Sequence, residues 1–209
     1  MKKYIVVVSI VVITCLLVGC EANVNNTINS NERNTSQTKT NNHIVIDAIS
    51  LLDEEYSILK AAGTNNSMVF QISLGNVNVQ KINYWIDYYR DGELFETILN
   101  MGSQVPELSE SREYRLYLTT TGIHSSQEIW TLALRENGNV SSGQYENKIN
   151  EFDSTMTHPL HEISTGINEI TDLGMIIRNN GKDHMASSND IKSVIKENQE
   201  VYVLRCKFD

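Results

Sequence analysis

Met68-Val69-Phe70-Gln71-Ile72-Ser73-Leu74 is the stretch from which the rest of the chain can be read. Met68, Phe70, Ile72 and Leu74 fall on one side of a period of two, and Val69 alone is apolar on the other. Such alternation marks a half-buried strand, because successive side chains of an extended chain point to opposite faces. The pattern recurs in Tyr114, Leu116 and Leu118, in Trp130, Leu132 and Leu134, and at the C-terminus in Tyr202, Leu204, Cys206 and Phe208. Between these runs, Asp91-Gly92, Asn137-Gly138 and Asn180-Gly181 supply the positive φ that tight hairpins require. The only prolines, Pro106 and Pro159, fall in segments read as loops.

Helical signals are fewer. Asp47 to Tyr56 reads as a short helix, and Ser188 or Asn189 as the cap of another that runs through Ile191, Val194 and Ile195. Ile163, Ile167 and Ile170 keep helical spacing, which Gly166 and Gly174 weaken. The fold expected is mainly β: a single antiparallel β-sandwich over residues 44–209 with one or two short helices. An immunoglobulin-like arrangement is one form of it, although the Cys–Trp–Cys hallmark of that fold is absent.

Upstream of this domain the chain opens Met1-Lys2-Lys3-Tyr4 and continues from Ile5 to Gly19 with only Ser9, Thr14 and Cys15 to dilute its apolar character. A basic start, a short apolar run and a small residue before Cys20 are the three regions of a secretory signal. Glu21 and the polar residues after it stop the run short of the roughly 20 apolar residues that a stable membrane span needs. Leu17-Val18-Gly19-Cys20 resembles the lipobox of bacterial lipoproteins. The resemblance implies that residues 1–19 are a signal peptide, that Cys20 receives a diacylglyceryl group, and that cleavage makes it the mature N-terminus. Two acyl chains on one residue give durable attachment where one is marginal. The expected location is the extracytoplasmic face of the cell membrane, with the membrane itself as first partner. Trp85-Ile86-Asp87-Tyr88-Tyr89 running into Asp91-Gly92-Glu93, together with Val201 to Cys206, is also similar to uncharacterised lipoproteins of Gram-positive bacteria.

Loss of Lys2 and Lys3 from the 17 basic residues leaves 15 against 26 acidic ones, a net charge of −11 for the mature chain. This balance argues against nucleic acid as a partner, since binding it requires a basic footprint. It also argues against adhesion to anionic headgroups, so the acyl chains are needed to hold the protein at the membrane. Of the three cysteines, Cys15 leaves with the signal and Cys20 carries lipid. Cys206 then stands alone, with no intramolecular disulfide open to it. Fourteen of the 22 residues from Glu21 to Asn42 are Asn, Ser or Thr. They bury too little apolar surface to offset the entropy of ordering, so residues 20–43 are expected to be a lipidated, disordered tether.

Two groups of side chains stand out in the domain. If Asp91-Gly92 is a two-residue turn, Tyr89 faces Leu94, Tyr88 faces Phe95, and Asp87 faces Glu96. One face of that hairpin carries Ile82, Tyr84, Ile86, Tyr88, Phe95 and Leu99 into the core. The other carries Trp85, Asp87, Tyr89, Leu94, Glu96 and Ile98, with the two carboxylates directly opposed. Trp85, Asp87, Tyr89 and Glu96 form the candidate binding surface, with an envelope protein or glycan as its partner; an ordinary solvated or covered sheet face is the competing reading. The second group is His158-Pro159-Leu160-His161-Glu162. Two imidazoles near carboxylates are able to ligate zinc or copper, but the glutamate follows the histidines instead of lying between them, and a loop with two solvated histidines competes.

No nucleophile elbow, Ser-x-x-Lys, phosphate loop or dinucleotide fingerprint is present, and no motif calls for a cofactor. Cys206, in phase with Tyr202, Leu204 and Phe208, reads as a buried inert thiol. The expectation is a surface-tethered binding or interaction module. The alternative is an envelope enzyme or metal-binding protein using Asp87, Glu96, His158 and His161, which requires a pocket that gathers those four side chains.

Overall fold

The computed structural model describes residues 43–107, 112–124, 126–148, 152–181 and 185–209. The leader, the Leu17–Cys20 motif and the tether up to residue 42 lie outside the described residues.

The alternating runs pair into two antiparallel sheets that close on a shared core. The six-stranded sheet is built from β1 (Ile44–Ala48), β2 (Thr64–Ser73), β5 (Glu113–His124), β6 (Gln127–Glu136), β7 (Asn139–Lys148) and β9 (Ile163–Thr165), in the order β7-β6-β5-β2-β1-β9. The five-stranded sheet holds β3 (Lys81–Arg90), β4 (Glu93–Gln104), β8 (Ser154–Pro159), β10 (Ile170–Asn179) and β11 (Glu200–Phe208), in the order β4-β3-β11-β10-β8. Two short helices, α1 (Asp53–Ala61) and α2 (Ile191–Glu197), complete it. The protein is thus mainly β, with a sandwich-like arrangement of two antiparallel sheets and two helices. Its strand order differs from that of an immunoglobulin domain, whose smaller sheets divide as ABED and a GFC set.

The four runs read from sequence lie where expected. Phe70, Ile72, Leu116, Trp130 and Leu132 line the inner face of the larger sheet, and Leu204, Cys206 and Phe208 that of the smaller, all fully or almost fully buried. β11 is buried on both faces from Glu200 to Leu204, whereas Arg205 and Lys207 beyond are half-buried. Val201 and Val203 point outward and pack with Met175 and Ile177 under Ile191, Val194 and Ile195 of α2. That helix is capped by Asp190, whose carboxylate accepts the Ser193 N–H at 3.3 Å. Val69, the one residue that broke the alternation of β2, is only 4% exposed because the chain leading into α1 lies over it.

Several expectations are corrected. Ile44–Ala48 is strand, so the N-terminal helix starts at Asp53 instead of Asp47; Glu55 accepts the Leu52 N–H at 3.0 Å and so fixes that start. Ile163, Ile167 and Ile170 belong to β9, a turn and β10, not to a helix. Asn180-Gly181 does not close a tight hairpin: β10 and β11 are joined through α2, although Gly181 does have positive φ. Pro159 is the last residue of β8, an edge strand, where its missing N–H costs no ladder bond.

The β3–β4 hairpin differs most. Asp91 and Gly92 take φ of 50° and 88°, as a two-residue turn requires, and Tyr89 faces Leu94. Beyond that the register shifts, so that Tyr88 faces Glu96, Asp87 faces Thr97 and Ile86 faces Ile98. Phe95 is the extra residue of this bulge, and a second irregularity follows at Leu99, with φ of 49°. One inserted residue exchanges the faces of everything after it. Ile98 therefore enters the core at 3% exposure, whereas Phe95 is 57% exposed.

Candidate functional site

The shift in register divides the four residues read as a binding surface. Trp85, Asp87 and Tyr89 share the outer face of the five-stranded sheet. Glu96 lies on the inner side, opposite Tyr88, where its carboxylate accepts the Tyr145 hydroxyl of β7 at 3.4 Å. The opposed Asp87–Glu96 pair does not form. Asp87 instead accepts the Thr97 hydroxyl at 2.5 Å and pairs with Arg205 of β11. Arg205 also binds Asp172 at 2.6 Å, donates to the Tyr89 hydroxyl at 2.8 Å and lies 5.5 Å from the centre of the Tyr89 ring. The Tyr89 ring packs against the α2 cluster. Of this surface, Trp85 is the member with no such tie among the described residues.

The histidine group is also separated. His158 of β8 shares a row of the outer face with Asp87, but Val203 and Met175 stand between them, which is three strand spacings or about 14 Å. Its ring lies 3.4 Å from the Asn189 side chain, just before α2. His161 is exposed and lines a cleft of about 270 Å³ against Ala48, Tyr56, Met68 and Val69. Among the described residues, no three His, Cys, Asp or Glu side chains converge as a metal site. Asp87, Glu96, His158 and His161 therefore occupy separate environments. Cys206 is fully buried, and burial pushes its thiol pKa well up, which suppresses the nucleophilic thiolate.

Reading by sequence missed a cluster between the sheets. Arg178 of β10 and Glu128 of β6 meet at 2.5 Å across the sandwich, with side chains 3% and 1% exposed. The guanidinium lies 5.6 Å and 5.3 Å from the ring centres of Trp130 and Tyr202. Tyr202 stacks on Tyr88 at 4.4 Å, and its hydroxyl donates to Glu200 at 3.0 Å. Arg90 donates to the Tyr88 hydroxyl and approaches Glu200 at 3.6 Å. Burial, followed by the Glu200 carboxylate, pushes the Tyr88 phenol pKa up to about 12, and the same two causes raise that of Tyr202. The signal was present in phase: Glu128 alternates with Trp130, and Arg178 with Ile176, so both charges had to enter the core. With opposite charges in contact and aromatic rings around them, these groups tie the two sheets together.

The remaining concave surface lies on the outer face of the six-stranded sheet. α1 packs loosely over β2 and β5, with none of its residues buried. Between them runs a mostly apolar groove of about 220 Å³ lined by Leu51, Ile58, Leu59, Val69 and Tyr117, with Glu55 and Thr119 as its polar members. One strand row further along, Gln71, Arg115 and Arg135 stand side by side on β2, β5 and β6, in a polar cleft of about 330 Å³. Neither a curated protein nor a solved structure matches the chain. The family model of the YgaN domain matches residues 45–208, which takes in both sheets, both helices and these clefts, and the chain belongs to that family.

Proposed function

We propose that this protein is a lipid-anchored extracytoplasmic module that binds an envelope partner and is held to the cell membrane through Cys20. The observation that carries this reading is Leu17-Val18-Gly19-Cys20 behind Lys2, Lys3 and a short apolar run. A mature net charge of −11 supports it, because such a protein is repelled from anionic headgroups and needs acyl chains to remain at the surface. The sandwich supports a binding role by offering broad sheet faces, two of whose clefts flank α1.

Mass spectrometry of the detergent-extracted protein tests the anchor. The expected N-terminal peptide begins at Cys20 and carries a diacylglyceryl mass. Cys20→Ala is expected to leave the membrane fraction or to retain its uncleaved leader. An intact Met1 on the native protein, or unchanged processing of the variant, overturns the reading.

A further inference from the structure

Arg115 and Arg135 are directly opposed on β5 and β6. Like charges in that position repel, and both side chains are exposed, so the pair is open to a counter-charge from solution. Among the described residues no ion pair engages either one. Arg115 donates through Nε to Gln71 at 3.0 Å, and among the described residues its two terminal nitrogens make no hydrogen bond. Glu113, in the same cleft, is held by Gln71 and by Ser73 at 2.9 Å. The cleft thus presents a cationic end, bounded by Arg135 and the Asn137-Gly138 turn, and an acidic end.

Tyr117 is two residues from Arg115 on the same face of β5, and Val69 is two from Gln71 on β2, so the arginine row and the groove beneath α1 are adjacent rows of one surface. Leu51, Ile58 and Leu59 roof that groove, and Ile58 remains 63% exposed. An apolar groove lying one strand row from two guanidinium groups complements one kind of ligand.

We propose that this face binds a single anionic amphiphile, with its phosphate or carboxylate head on Arg115 and Arg135 and its alkyl chain along the groove under α1. The charge opposition of the two arginines is relieved by the head, and bidentate geometry suits arginine to such oxyanions. The alkyl chain covers the side chains that α1 leaves open. This deepens the binding role proposed above and rests on it.

The test uses membranes carrying the full chain and dodecyl phosphate with a terminal diazirine, with photolabelled peptides mapped by mass spectrometry. Labelling is expected on the peptides containing Ile58 to Leu59 or Tyr117. Excess unlabelled dodecyl phosphate is expected to abolish it, whereas inorganic phosphate leaves it unchanged. Arg115→Gln with Arg135→Gln is expected to reduce labelling at least tenfold, and the double lysine variant, which keeps the charge without the bidentate fork, to restore part of it; Ile58→Asp is expected to reduce it similarly. Equal labelling by a dodecanol probe, competition by inorganic phosphate, unchanged labelling in the double glutamine variant, or labels confined to other segments overturns the proposal. Retention of every variant in the membrane fraction is read separately, so a failed anchor and a failed ligand site give different results.

Discussion

Glu128 stands in phase with Trp130, Leu132 and Leu134, and the alternation that buries those three therefore carries a carboxylate into the core. It is tolerated there because Arg178 arrives from the other sheet at 2.5 Å. Removing one partner leaves the other charge buried and unmatched, which typically costs about 3–5 kcal/mol. Glu128→Ala is expected to lower the denaturant midpoint by that order at unchanged slope, and Glu128→Leu combined with Arg178→Met to recover much of the loss. Tyr88 provides a second check through pH. Its phenol titrates from an ordinary value of 10.0 in the unfolded chain and about 12 in the folded one. The folded state thus keeps a proton that the unfolded state releases. The resulting stability is complete below pH 10 and is lost as pH rises through 12. Denaturation measured between those limits should show stability falling less steeply for Tyr88→Phe than for the native protein.

The bulge at Phe95 shows how one element redistributes side chains. Alternation on each strand was legible, but the pairing offset between them was not, since a period of two gives no warning of an inserted residue. The outcome is that Ile98 is core, Phe95 is exposed, and Glu96 faces Tyr145 instead of Asp87. α2 adds the second rearrangement, covering the half of the outer face that holds Tyr89. Tyr89→Ala is accordingly expected to cost about 2–3 kcal/mol, below a full aromatic core truncation, and Trp85→Ala less than about 1 kcal/mol. Asp190→Ala removes the cap of α2 and should cost about 1 kcal/mol. Thermal or chemical denaturation of the three variants ranks these effects. A Trp85 variant as damaging as the Tyr89 variant contradicts the placement of α2.

For the molecule as a whole, stability depends on pairing strands that are far apart in the chain. β1 pairs with β9, and β3 with β11, across more than 100 residues in each case. Such connections make folding slow, because loop closure precedes the contacts that reward it. A chain beginning at His43 is expected to give a strand-dominated circular dichroism spectrum and one cooperative unfolding transition, with refolding on the millisecond-to-second scale. A helix-dominated spectrum contradicts the fold.

The sequence alone determined the fold class, the four alternating strands, the buried thiol of Cys206 and α2, because burial on one face leaves a periodic trace in residue order. Asp91-Gly92 and Asn137-Gly138 were legible for a similar reason, since positive φ at successive positions selects those residues. Only the tertiary structure decided which strands are neighbours, how β4 is offset against β3, and which face of each sheet is covered. Those outcomes depend on contacts between residues tens of positions apart. Hence Trp85, Asp87 and Tyr89 share one face, and Glu96, read as its fourth member, lies on the other. Arg115 and Arg135, unremarkable 20 positions apart in the chain, became neighbours when β5 met β6.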